Sequence, residues 1–189
     1  MTERLNSMRS FLNKITIFTV LLGLTFFTIF TAYAAENNFG NVTDLRIINS
    51  PTEEPGSWLS YGQNYKEQRF SELTQINPQN IDGLGLAWTK QVGDYNMRMQ
   101  GTPLVVDGIM YVTNGWSVVF ALNATSGDEI WRYDPEVDRS YARLACCGPA
   151  HNRGVAVYEG KIFVGTFDGR LIAVDASTGK ELWDVDTWI

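Results

Sequence analysis

Histidine is almost missing from this sequence: His151 is the only one in 189 residues. A single histidine cannot build a His-rich metal site, and no Ser-His-Asp array accompanies it. A solvent-facing loop position accounts for it, and it is assigned no role. Cysteine is nearly as scarce. The two present, Cys146 and Cys147, are neighbours, so they cannot staple distant parts of a fold. No Cys-x-x-Cys-His run for c-type haem and no glycine-rich phosphate loop is found. Basic charge is in deficit, with 15 Lys and Arg against 21 Asp and Glu. Such a chain has no electrostatic reason to hold nucleic acid or an anionic membrane.

What remains is globular. The hydrophobic fraction is 44% and the charged fraction 19%. Six Trp, eight Tyr and ten Phe favour strands over helices. The first residues form an export signal: a basic head with Arg4, Arg9 and Lys14, an apolar run of 16 residues from Ile15 to Phe30, and small residues at Ala32 and Ala34. Cleavage is expected after Ala34. The alternative is an uncleaved anchor, for which the run is short, and only then would the chain contact a membrane. Removing residues 1–34 leaves 12 basic against 20 acidic residues, a net charge of −8. Residues 35–57 then read as a polar N-terminal linker.

One internal repeat organises the rest. Residues 107–131, "DGIMYVTNGWSVVFALNATSGDEIW", align without a gap on residues 159–183, "EGKIFVGTFDGRLIAVDASTGKELW", at an offset of 52. Gly108 matches Gly160, Ala121 matches Ala173, Gly127 matches Gly179 and Trp131 matches Trp183. Each copy predicts strand, turn, strand, turn and strand. In the last turn Asn123 or Asp175 is placed to hydrogen-bond the backbone, and Gly127 or Gly179 to accept a positive φ. The closing tryptophan is the apolar body each unit would bury against its neighbour. Units of about 50 residues made of short antiparallel strands predict an all-β fold, the blades of a propeller. Propeller rings need ~4 or more blades, and residues 58–189 hold two and a starting strand, so an N-terminal piece of a longer chain is expected.

The segments "ALNATSGDEIW" and "AVDASTGKELW" resemble the tryptophan-docking motifs of the pyrroloquinoline quinone (PQQ) alcohol dehydrogenases, the methanol and ethanol dehydrogenase family. "WLSYGQNYKEQRFSELTQINPQNIDGLGLAW" resembles that family's opening segment, "TPLVVDGIMYV" its first full blade and "CC…NRGVAVYEGKIFVGT" its second. The likeness runs from about Trp58 to the last residue. The adjacent cysteine pair before Asn-Arg-Gly is its most specific element. The resemblance implies an eight-bladed parent propeller, exported to the periplasm.

It also implies roles for four residues. In the family a Cys146–Cys147 type pair is joined as a disulfide and lies against one face of the quinone. Neighbouring Cα atoms are ~3.8 Å apart, below the ordinary ~4.4 Å lower limit for a disulfide, so such a ring is strained and adds little global stability. Two separate thiols are the other reading. Arg153 matches the arginine that reaches the cofactor's polar substituents, and a planar guanidinium suits its carboxylates and quinone oxygens. Gln100 stands where the family usually has a cofactor-contacting glutamate. It keeps an acceptor oxygen, loses the charge and gains an amide donor. A second departure lies in "CGPAHNR", which carries one residue more than the family spacing, around Ala150 and His151.

The expected activity of the parent chain is oxidation of a primary or secondary alcohol with PQQ and a Ca²⁺ or lanthanide Lewis acid. Electrons would pass to a cytochrome c or a quinone-linked acceptor. The catalytic base and metal ligands match no position here and are expected beyond residue 189, so no catalytic residue is assigned and this piece alone is expected to be inactive. The rival expectation is a non-catalytic cell-envelope propeller scaffold built from the same repeats.

Overall fold

The computed structural model describes residues 39–93, 98–140 and 150–188. The predicted signal segment and the Cys146–Cys147 pair lie outside them. Chain order is helix α1 (Asp44–Glu53), a single 3-10 turn (Ile81–Gly83) and β1 (Arg98–Met99). There follow β2 (Leu104–Val106), β3 (Ile109–Thr113), β4 (Val119–Asn123) and β5 (Glu129–Tyr133), and then β6 (His151–Asn152). The last four strands are β7 (Ala156–Tyr158), β8 (Lys161–Gly165), β9 (Arg170–Asp175) and β10 (Glu181–Asp186).

β2 to β5 form one four-stranded antiparallel meander and β7 to β10 another, each in chain order. These are the two predicted blades. The repeat predicts three strands in each, and the structure supplies a fourth, β2 or β7, just ahead of the aligned segment. The β2–β3 and β7–β8 connections are two-residue loops, Asp107-Gly108 and Glu159-Gly160. All four residues have positive φ, from 46° to 77°. That is the backbone of the tight hairpin turn whose twist matches its strands.

Strand alternation decides which face of each sheet is covered. β3 alternates buried and half-buried positions. Leu104, Val106, Ile109, Tyr111, Val119, Ala121 and Trp131 from the first sheet join Ile162, Val164, Ile172 and Val174 from the second in one core. The reverse face of the first sheet carries a smaller cluster of Val118, Phe120 and Leu122, with Val92, Met110 and Val112 against it.

The predicted turn chemistry is present in both units. Asn123 Oδ1 accepts from the backbone N–H groups of Thr125 and Ser126, at 2.9 and 3.1 Å. Asp175 Oδ1 accepts from those of Ser177 and Thr178, at 3.0 and 2.8 Å. Gly127 and Gly179 have φ of +77° and +69°.

The segment expected as a polar linker contains α1. Thr43 caps it, its Oγ1 accepting from the Arg46 N–H at 3.3 Å. Pro51 lies inside the helix and has no N–H for the Ile47 carbonyl, and the Ser50 hydroxyl donates to that carbonyl instead, at 3.0 Å. The composition is polar because one face stays in solvent. Ile47 and Ser50 are buried. The chain before and through α1 clasps both hairpin turns. Gly40 N–H donates to Asp107 and its carbonyl accepts from Gly160 N–H, while Arg46 pairs with Asp107 at 2.6 Å.

Candidate functional site

The two hairpin turns and α1 mark one end of the sheets. The opposite end is where β2 and β7 begin and where β3 turns into β4 and β8 into β9. Sequence-predicted site residues among those described, Gln100 and Arg153, are both at this end.

A short parallel ladder brings them together. β1 pairs with β6, with Arg98 opposite His151 and Met99 opposite Asn152. The next residues along the two chains, Gln100 and Arg153, therefore leave the ladder side by side. Just beyond, the backbones nearly touch: a Cβ on Gly101 would lie 2.9 Å from the Gly154 carbonyl oxygen. Only glycine allows that approach. The Thr113 hydroxyl, at the end of β3, donates to the same carbonyl at 3.0 Å. The loop bearing Arg153 is thus tied to the first sheet from below.

Arg153 and Gln100 are exposed. Among the described residues Arg153 makes no hydrogen bond or ion pair. It lines a cavity of about 350 Å³ together with His151, Asn152, Gly165, Thr166 and Phe167. Cys146 and Cys147 lie outside the described residues, so their pairing and their distance from Arg153 are not part of this geometry.

Two sheet turns lie at this end, and the second of them lines the cavity. In the first, Asn114 Oδ1 accepts from Trp116 and Val118 N–H groups, at 3.0 and 3.1 Å. In the second, Thr166 Oγ1 accepts from Arg170 N–H at 3.0 Å and donates to Asp168. Arg170 grips Asp168 at 3.0 Å and Asp184 at 2.6 Å, and donates to the Pro135 carbonyl of the first unit at 2.7 Å. Burial works against the Asp168 charge. The bonds from Arg170 and Thr166 outweigh it and hold the carboxyl below its ordinary range.

These turns are where the repeat stops repeating: Gly115, Trp116 and Val118 occupy the positions of Phe167, Asp168 and Arg170. The scaffold on either side is shared, so the turn residues are free to differ. Trp116 and Phe167 meet across the two units in an edge-to-face contact with centroids 5.8 Å apart. The His151 ring stands edge-on to Phe167 at 6.2 Å. His151, assigned no role from sequence, is therefore on the cavity wall. Asn152, Thr113, Gly101, Trp116 and Phe167 carried no prediction. The break in the match at offset 52 was the available signal for Trp116 and Phe167. Among the described residues no three His, Cys, Asp or Glu side chains come together to hold a metal ion.

Comparison with known proteins places this geometry. The model of the PQQ glucose/ethanol/alcohol dehydrogenase β-propeller domain matches residues 58–184. Quinohemoprotein alcohol dehydrogenase ADH-IIG of Pseudomonas putida is 53% identical over 147 residues, which are 78% of this chain and 20% of that protein. The 1-butanol dehydrogenase (cytochrome c) of Thauera butanivorans is 50% identical over 134 residues, 71% of this chain and 19% of that protein. Among solved structures, the quinohemoprotein alcohol dehydrogenase of Comamonas testosteroni superposes with a TM-score of 0.74 at 46% identity, over 82% of this chain and 23% of that one. The chain thus spans about a fifth of the length of the curated relatives it matches.

Proposed function

The chain belongs to the PQQ glucose/ethanol/alcohol dehydrogenase β-propeller family, and from that premise we propose that it works within a longer exported quinoprotein oxidising a primary or secondary alcohol to an aldehyde or ketone. The observation that carries this reading is the exit of Gln100 and Arg153 side by side from the β1–β6 ladder, at the cavity end of both sheets.

The residues present fit PQQ as one wall of its site. Arg153 offers a guanidinium with no protein partner among the described residues, facing a cavity of about 350 Å³. A planar, permanently charged fork suits a cofactor with three carboxylates. Gln100 beside it offers one acceptor and two donors. Phe167 and His151 give that wall an aromatic part, and Trp116 packs edge-on against Phe167 behind it. Cys146 and Cys147, joined as a disulfide, would cover one face of the ring. PQQ, when bound, supplies the quinone that takes up the electrons removed from the alcohol.

The Lewis acid of this reading is Ca²⁺ or a lanthanide. Neither its ligands nor the base that takes the hydroxyl proton is assigned to this chain, which by itself would be inactive. A cytochrome c or a quinone-linked acceptor would receive the electrons. The Thauera relative, a 1-butanol dehydrogenase (cytochrome c), supports the first of these. Periplasmic location rests on the basic head and apolar run of residues 1–34.

The test is reconstitution of the full-length gene product with PQQ and Ca²⁺, followed by ethanol-dependent dye reduction and by thiol titration. Tight PQQ uptake, dye reduction and no free thiol at Cys146 or Cys147 are expected. Failure to bind PQQ would overturn the cofactor assignment, and PQQ uptake without reduction by any alcohol would overturn the substrate class.

A further inference from the structure

Both polar atoms of the Asn152 amide are bonded to protein. Its Oδ1 accepts from the Gly154 N–H at 2.7 Å, closing the backbone around Arg153 from the residue before it to the residue after it. Its Nδ2 donates to Ser117 Oγ at 2.9 Å and to the Gly165 carbonyl at 2.7 Å. Ser117 is fully buried in the turn of the first sheet, at φ +67°. Gly165 ends β8 in the second sheet. One side chain thus joins the Arg153 loop, the first sheet and the second.

We infer that Asn152 is the positioning residue for Arg153, holding the guanidinium at the place where an anionic cofactor is recognised. This rests on the reading of Arg153 as a PQQ ligand. Asn152 lines the same cavity, yet its polar atoms are spent on protein partners, so its effect passes through its neighbour. No other side chain of this size replaces it. Aspartate keeps the acceptor for Gly154 and loses both donors, and serine can donate only one bond. Glutamine carries the amide one methylene further from backbone partners that are fixed by two sheets. Holding a charged group in one geometry before the ligand arrives removes that ordering cost from binding.

A double-mutant cycle on cofactor affinity tests this in the full-length apoprotein. PQQ is titrated against wild type, Asn152→Ala, Arg153→Ala and the double variant, following tryptophan fluorescence, with Tm measured for each. Asn152→Ala is expected to weaken PQQ ~10-fold, the scale of losing a well-made polar contact. In the Arg153→Ala background the same change should leave PQQ affinity unaltered, while its effect on Tm persists. A purely structural asparagine would lower Tm without this non-additivity.

Effects on PQQ affinity that multiply in full would overturn the proposal, as would wild-type PQQ affinity in Asn152→Ala. If Asn152→Ala does not fold, Ser117→Ala removes one of its three bonds. That variant should weaken PQQ by roughly 2–3-fold, the low end for one hydrogen bond, and only while Arg153 is present. The Arg153→Ala arm decides the underlying reading separately: unchanged PQQ affinity there would remove Arg153 from the cofactor site, and the proposal with it.

Discussion

The Trp131 ring lies over Gly179 so closely that a Cβ on the glycine would fall 2.6 Å from it. The indole N–H donates to the Ala176 carbonyl at 3.1 Å, in the same turn. Trp88 does the same one unit earlier, over Gly127 and with its N–H on the Ala124 carbonyl at 3.2 Å. Each unit's tryptophan therefore grips the glycine turn of the next, and the unit-to-unit contact is specified by an indole, a bare Cα and one carbonyl. Trp131 is 9% exposed under this contact, whereas its repeat partner Trp183 is 37% exposed.

Gly179→Ala should test both parts of that contact. The added methyl meets the indole, and φ +69° disfavours any Cβ. Together these should cost about 2–5 kcal/mol, the sum of overpacking and left-handed strain. Gly108→Ala is the control, because its φ is +77° and nothing lies within 4 Å. It should cost only the backbone part, ~1–2 kcal/mol. Equal losses in urea unfolding would show that the indole contact is not close.

The Ala176 carbonyl accepts a second bond, from the Tyr111 hydroxyl at 2.9 Å. Tyr111→Phe or Trp131→Phe each leaves one donor, so each should lose about 1 kcal/mol from that bond, the tryptophan variant more through lost packing. The double variant strips a buried carbonyl and should cost more than the sum. Burial also pushes the Tyr111 hydroxyl above its ordinary value of 10.0. The raised value means its stabilisation is intact below pH ~10 and falls as pH rises further, when the unfolded chain ionises first. Tyr111→Phe should flatten that alkaline loss in a stability–pH profile.

The blades were legible because a repeat states its own constraints twice: matched glycines, an alanine and a tryptophan at offset 52 fix turn, register and docking together. The fourth strand was less so, since Leu104–Val106 and Ala156–Tyr158 share β-propensity and a single identical residue, Val105 and Val157. Helix α1 was hidden by its composition. Arg46, Glu53 and Glu54 read as solvated linker, and only the partner Asp107, 61 residues away, shows that the arginine is anchored. Gln100 and Arg153 were visible through resemblance, but their adjacency depends on a two-residue parallel ladder with no sequence signal. Asn152 has no sequence signal of its own, because the three partners of its amide, Gly154, Ser117 and Gly165, are brought together only by the fold.

Arg46→Ala should release α1 without unfolding the sheets. The guanidinium bonds Glu54 at 2.7 Å and Asp107 at 2.6 Å, so one side chain holds both the helix end and the first hairpin turn. Ion pairs of this partly exposed kind stabilise by about 1 kcal/mol at most. Limited proteolysis is therefore the sharper probe. Cleavage between Asp44 and Glu54 should quicken severalfold while cleavage within the sheets is unchanged. Uniform protection would mean that the apolar contacts of Ile47 suffice to dock the helix.

Asp168 should give the acid side of the profile. Burial raises its pKa, but the bonds from Arg170 and Thr166 prevail and the folded value lies below the ordinary 3.8. A lowered carboxylate contributes stability above its unfolded pKa and loses it as pH falls through the folded one. The gap in stability between wild type and Asp168→Asn should therefore be full at pH 7 and shrink below pH ~4. Because Arg170 also reaches the Pro135 carbonyl, freeing it from Asp168 loosens the turn that carries Phe167 and the tie between the two units at once. The Trp116–Phe167 contact should then weaken, visible as red-shifted tryptophan emission in Asp168→Asn at neutral pH. A stability gap that stays constant from pH 7 to pH 3 would mean that the Asp168 charge is not what holds this turn.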